Sequence, residues 1–182
     1  YEMKNVLVLG VAKSGKTYLA KRINKNRNYS YIPLDYFTSS FKHNFSETKI
    51  TSNVVIDRKS SKNLSKFLSR VIEIIDYVNN ENYIIDSAHI YPEDIINYID
   101  RDKWDIYCIG YPNISVEEKF SNLRKYVHGG WPAKRNDDEL KKTITKLIEI
   151  SKEMEKQCNY YNIRFIDSSN FENLDKLQIE KE

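Results

Sequence analysis

Between Val6 and Thr17 the chain reads VLVLGVAKSGKT, a short apolar run leading into a loop bounded by Gly10 and Gly15 and closed by Lys16-Thr17. Leu19, Ala20 and Ile23 follow at helical spacing. A strand, a glycine-bounded loop, Lys-Thr and a helix in that order form the G-x-x-x-x-G-K-[ST] pattern in its required setting. The two glycines let the backbone turn tightly and bring N–H groups against phosphate oxygens, while the helix N-terminus adds positive potential. Lys16 then reaches the β- and γ-phosphates, and the Thr17 hydroxyl joins the shell of a Mg²⁺ ion. Gly10, Val11, Ala12, Lys13, Ser14, Gly15, Lys16 and Thr17 are therefore the expected phosphate cradle, with Tyr18 beside them at the head of the helix. Lys13 either adds charge over the phosphates or points to solvent.

Length and charge narrow the alternatives. A chain of 182 residues fits one domain with an ordinary core. Tyr1 and Glu2 precede the first methionine and are expected to be a cloning remnant. Lys and Arg total 29 against 26 Asp and Glu, a net charge of +3, which argues against a dedicated nucleic-acid or anionic-membrane surface. No apolar run approaches the roughly 18 residues of a membrane span, and the first apolar run reads as a core strand rather than a leader. Cys108 and Cys158 belong to no C-x-x-C pair and read as reduced, partly buried thiols of a cytoplasmic protein.

Further along, strand and helix patterns alternate. Tyr29 to Phe37 reads as an edge strand or a short one, because Pro33 cannot donate to a ladder, and Asp35 lies at its end. Residues 38–62 show only scattered apolar anchors and read as a mobile insertion on the substrate side. Leu64 to Val78 has apolar residues three and four apart, an amphipathic helix. Tyr83-Ile84-Ile85-Asp86-Ser87 is a strand ended by a carboxylate, and Pro92 opens a helix with Ile95, Ile96 and Ile99 inside. Asp105 to Gly110 is another strand, Val116 to Tyr126 a helix broken by His128-Gly129-Gly130-Trp131-Pro132, and Asp137 to Cys158 a long helix. Ile163 to Asp167 is the last strand, followed by a turn through Asn170 and a charged tail. The alternation implies an α/β fold of three layers, with a parallel sheet of about five strands covered by helices on both faces.

With its loop after the first strand, carboxylates ending the second and third, and a glycine-broken basic segment before the long helix, the chain resembles the P-loop small-molecule kinases. The nucleoside-monophosphate kinase and shikimate kinase families are the nearest. That resemblance implies ATP and Mg²⁺ as cofactors and transfer of the γ-phosphoryl group to a small-molecule acceptor, by a monomer or homodimer. It places Asp35 as the residue that binds or deprotonates the acceptor, and Asp86, with Thr17, at the metal. Ser87 and His89 either face the acceptor or are plain surface groups. Residues 124–138 become a lid-like segment in which Arg124 and Arg135, with Lys125 and Lys134, neutralise transition-state charge; the bland reading is a solvated helix-loop-helix. Arg58 and Arg70 are weaker candidates for holding an anionic acceptor, and Asn170 lies in the turn expected to line the adenine base. The chain lacks the arginine-and-glycine patterns by which adenylate, guanylate or shikimate kinases recognise their acceptors. Two competing readings remain: a nucleotide-binding regulatory ATPase without an acceptor, and a kinase for a nucleic-acid end. No Asn-Lys-x-Asp guanine motif is present, which argues against an ordinary GTPase switch.

Overall fold

A computed structural model describes residues 3–25 and 27–170; Tyr1, Glu2 and the charged tail lie outside the described residues. The elements run in the order β1 Asn5–Gly10, α1 Lys16–Asn24, β2 Ser30–Pro33, α2 Asp35–Asn44, α3 Arg58–Val78, β3 Tyr83–Ser87, α4 Pro92–Ile95, β4 Trp104–Gly110, α5 Val116–Tyr126, α6 Gly130–Ala133, α7 Asp137–Tyr160 and β5 Arg164–Asp167. Five parallel strands pair in the order β2-β3-β1-β4-β5, so the strand that carries the glycine loop is central and β2, with Pro33, is an edge.

Alternation along β1 divides the core. Val6 and Val8 join Leu19, Ala20 and Ile23 of α1, with Ile84, Ile109 and Ile166 of the neighbouring strands. Leu7 and Leu9 point the other way, into a larger cluster with Leu64, Leu68 and Ile72 of α3 and Ile144, Leu147 and Met154 of α7. Successive strand residues face opposite sides, so each side of the sheet needs its own helical cover. Trp104 is fully buried, and its indole N–H donates to Asp76 Oδ1 at 2.8 Å, tying β4 to α3. Cys108 and Cys158 are free and fully buried, not partly buried as expected.

Three expectations need correction. The second strand ends at Pro33, and Asp35 opens helix α2, whose Phe37 and Phe41 recur four apart with Phe45 at its C-cap. Residues 38–62 are accordingly not a formless insertion: they hold most of α2, a 3-10 turn at Ser46–Thr48 and the start of α3. The α2 ring stripe packs on Phe67 of α3, with centroids 5.8 Å away for Phe37 and 5.0 Å for Phe41. Helix α3 also begins at Arg58, six residues before Leu64, capped by Asp57, which accepts from the Ser60 N–H at 2.7 Å. Its first turns are buried through hydroxyls instead of apolar side chains. Ser60 Oγ accepts from the Thr51 N–H at 2.8 Å, and Ser61 Oγ donates to Asp94 Oδ2 at 2.6 Å.

Candidate active site

The loop after β1 is held from both sides. Gly10 has φ 151°, and a Cβ there would sit 2.1 Å from the carbonyl oxygen of Ile109 on β4. Strand packing by itself therefore requires a glycine at this position. Gly15 is the N-cap of α1 with φ 100° and no side-chain cap, which leaves the first amides of α1 directed outward. Between them Lys13 adopts the left-handed region with φ 58°. Lys119 Nζ donates to the Lys13 carbonyl at 2.9 Å, and the Tyr111 hydroxyl donates to the Ala12 carbonyl at 2.8 Å. Lys119 itself lies 3.8 Å from the centroid of the Tyr111 ring. A buried cation from α5 and a phenol from the end of β4 therefore fix the loop's carbonyls, leaving its amides for a ligand.

Lys119 is 7% exposed, and burial lowers its pKa to about 8, with the charge of Lys13 adding to the effect. The unfolded chain then holds a proton that the folded one lacks between about pH 8 and the ordinary lysine range. Stability contributed here is fully present above that window and lost as the pH falls through 8. Relative to Lys119→Met, the wild-type protein is expected to gain on the order of 3 kcal/mol between pH 8 and 10.5, read by denaturant unfolding at each pH. A pH-independent difference between the two would remove the buried-cation account.

Lys16 is 7% exposed, and its Nζ donates to the Val11 carbonyl at 3.2 Å. Burial lowers its pKa, opposed by the negative charges of Asp35 and Asp86. Ser14 Oγ is buried without a protein partner. An orphaned hydroxyl, an ammonium with only one bond and outward amides form a donor set that phosphate oxygens would satisfy.

Asp86 is 3% exposed at the end of β3, in register with Val8 of β1 and Pro33 of β2. Its Oδ2 accepts from the Tyr31 hydroxyl at 2.7 Å and from Thr17 Oγ1 at 3.3 Å. Burial raises the carboxyl above its usual pKa, while the Tyr31 bond, the Lys16 charge and the Thr17 bond pull it down. Tyr31 remains a neutral phenol, pushed up by burial and by its bond to Asp86. A divalent ion would find the Thr17 hydroxyl and, through water, Asp86. No group of three or more His, Cys, Asp or Glu residues placed to hold a metal ion exists among the described residues, so such an ion would draw most of its shell from phosphate and water, as Mg²⁺ does.

A cavity of about 550 Å³ joins the glycine loop and the start of α1 to the start of α2. It is lined by Ala12, Lys13, Gly15, Lys16, Thr17 and Tyr18 of the loop and α1, by Asp35, Thr38, Ser39, Ser52 and His89, and by Trp131 of α6. The Asp35 side chain is 51% exposed, and its Oδ1 lies 3.6 Å from His89 Nε2. His89 is buried, not the surface group that its place before a helix allowed. Burial lowers its pKa, partly countered by Asp35, and its ring donates to the Asn53 carbonyl.

The expected arginines lie elsewhere. Arg124 donates to the carbonyls of Pro132 at 2.9 Å and Arg135 at 2.8 Å and pairs with Asp137 at 2.7 Å, which pins α6 to the start of α7. Arg135 bonds Thr143 and covers the Trp131 ring at 5.3 Å. Arg58 pairs with Glu93 and Glu153 over the Tyr91 ring, and Arg70 pairs with Glu73 at 2.7 Å. None of the four lines the cavity. Beyond β5, Ser168 Oγ donates to the Gly110 carbonyl at 2.9 Å and Asn113 donates to Asp167 Oδ2 at 2.7 Å; Asn170, exposed, is the last described residue. No helix among the described residues is long and apolar enough to cross a membrane.

A glycine loop on the central strand of a five-stranded parallel sheet, with a strand-end carboxylate beside its threonine, is the P-loop arrangement, and the chain has the fold of the P-loop small-molecule kinases. Shikimate kinase from Bacteroides thetaiotaomicron is similar over 97% of both chains, with a TM-score of 0.58 at 16% identity. A sugar kinase from Janibacter sp. HTCC2649 is similar over 84% of this chain and 98% of its own, with a TM-score of 0.51 at 12% identity. A gluconokinase from Sinorhizobium meliloti 1021 is similar over 79% of this chain and 74% of its own, with a TM-score of 0.50 at 10% identity. No protein-family model matches the sequence, and no curated protein matches it.

Proposed function

We propose that the protein is an ATP- and Mg²⁺-dependent phosphotransferase that moves the γ-phosphoryl group to a hydroxyl of a small-molecule acceptor. The observation that carries this reading is that the Lys16–Thr17 end of the loop and the half-exposed carboxylate of Asp35 line the same cavity. A nucleotide switch needs the first feature alone; a carboxylate in the same cavity is what a transfer enzyme adds. ATP, with its metal, supplies the phosphoryl group and part of the charge neutralisation. The amides from Val11 to Thr17 and the Ser14 hydroxyl hold phosphate oxygens. Lys16 neutralises charge on the transferred group, and Thr17 with Asp86 orients the metal. Asp35 positions the acceptor hydroxyl and takes its proton. Arg124 sets the geometry of the α6 segment, from which Trp131 reaches the cavity and Arg135 could swing inward on closure.

Asp35→Asn keeps the shape and removes the base. Turnover is expected to fall about 10²-fold with the KM for ATP unchanged, measured by coupled ADP release. Full activity in that variant would take Asp35 out of the reaction.

A further inference from the structure

The proposed reaction leaves the acceptor unnamed, and the wall that would receive it has a distinct chemical character. Cations that could hold an anion are directed away from it: Arg58 is spent on Glu93 and Glu153, and Arg70 lies on the outer surface of α3 with Glu73. Lys13 and Lys16 belong to the phosphate loop. The acceptor wall instead carries Asp35, whose negative charge would repel a carboxylate or phosphate placed against it. The neutral His89 ring has one N–H, and the Asn53 carbonyl takes it, so the remaining ring nitrogen is an acceptor. Carboxylate and imidazole, 3.6 Å apart, thus present lone pairs to the same space. Two acceptors side by side call for donors on the ligand, and adjacent hydroxyl groups supply them. Ser39 and Ser52 add hydroxyls to the same cavity.

We propose that the acceptor is an uncharged ring compound bearing neighbouring hydroxyl groups, of the sugar or nucleoside type, gripped through those hydroxyls by Asp35 and His89. This rests on the phosphotransferase reading above. In the step itself, the acceptor oxygen forms a bond to the γ-phosphorus as the bond from that phosphorus to the β,γ-bridging oxygen breaks. ADP leaves and the hydroxyl proton passes to the Asp35 carboxylate.

The test uses the full chain with Mg²⁺ and ATP and two sets of acceptors, read by ADP release and by phosphorylated product in mass spectra. Neutral pentoses, hexoses and nucleosides form one set; hydroxy acids, sugar acids and nucleoside monophosphates form the other. At least one neutral compound is expected to raise turnover tenfold or more over the acceptor-free rate, and free sugars against nucleosides then decides the ring type. His89→Gln is expected to raise the KM for that compound about tenfold while leaving the KM for ATP alone, an effect that general damage to the fold would not produce. Stronger stimulation by an acid or a monophosphate overturns the proposal, as does a neutral set that is silent throughout. Calorimetry of Mg²⁺–ATP binding on the same sample separates the two levels. Binding without a neutral acceptor sinks the substrate class alone, and absence of binding sinks the phosphotransferase reading itself.

Discussion

Lys16→Ala is expected to weaken Mg²⁺–ATP binding on the order of 10²-fold and to lower phosphoryl transfer on the order of 10³-fold, while the protein stays folded. Both halves follow from its surroundings. Lys16 is 7% exposed, and its ammonium makes one bond among the described residues, to the Val11 carbonyl at 3.2 Å, so its removal costs the fold little. Burial that lowers its pKa also means that the chain already bears a desolvation cost to keep this group in place. Such a cost is retained where a ligand's negative charge recovers it. Calorimetry measures the first effect, ADP release the second, and thermal unfolding the third. An unchanged dissociation constant would remove the loop from nucleotide binding and with it every role assigned around it.

Gly10→Ala should act on stability before chemistry. The new methyl would lie 2.1 Å from the Ile109 carbonyl oxygen, in a backbone region with φ 151° that side chains rarely adopt. Strand β1 is fully buried between β3 and β4, so the sheet cannot open locally to make room. Overpacking and backbone strain together predict a loss of about 3–5 kcal/mol and a thermal midpoint lower by about 10 °C or more. Gly129→Ala is the control: its φ is −147° and nothing lies within 4 Å of a Cβ there, so its midpoint should stay within about 2 °C. A stable Gly10→Ala protein that failed only to bind nucleotide would restore the motif's usual explanation for this glycine.

What could be read from the residues alone was whatever short spacing or apolar repetition encodes. The β1 loop and α1 occupy one continuous stretch, and Asp86 directly follows two apolar residues; both kinds of signal survive without knowledge of the sheet. The start of α3 did not, because Ser60 and Ser61 are buried through hydroxyl bonds to Thr51 and Asp94, which hydrophobic periodicity cannot register. Helix α2 was hidden for a related reason. Its Phe37, Phe41 and Phe45 stripe is helical in spacing, but Pro33 and the aromatic run before it read as a continuing strand. Lys119 and Tyr111 reach the loop across about a hundred residues of chain, and no local signal marks them. Tyr31 likewise meets Asp86 only because β2 pairs with β3. The basic segment shows the same limit: its residues suggest a hand for phosphate, but the contacts that Arg124 makes here, to the carbonyls of Pro132 and Arg135 and to Asp137, leave no mark in local spacing.

Helix α2 buries one residue, Thr38, and leans on α3 through aromatic rings at its rim. Asp35 is its first residue, so the group expected to choose the acceptor rides on an element with few ties, whereas Lys16 opens α1, which follows the fully buried strand β1 by one short loop. Amide protons of α2 should therefore exchange with solvent long before those of β1, and a bound acceptor should slow them selectively. Catalytic power and substrate choice in this chain would then be separable by mechanical stiffness, one drawn from rigid material and the other from compliant material.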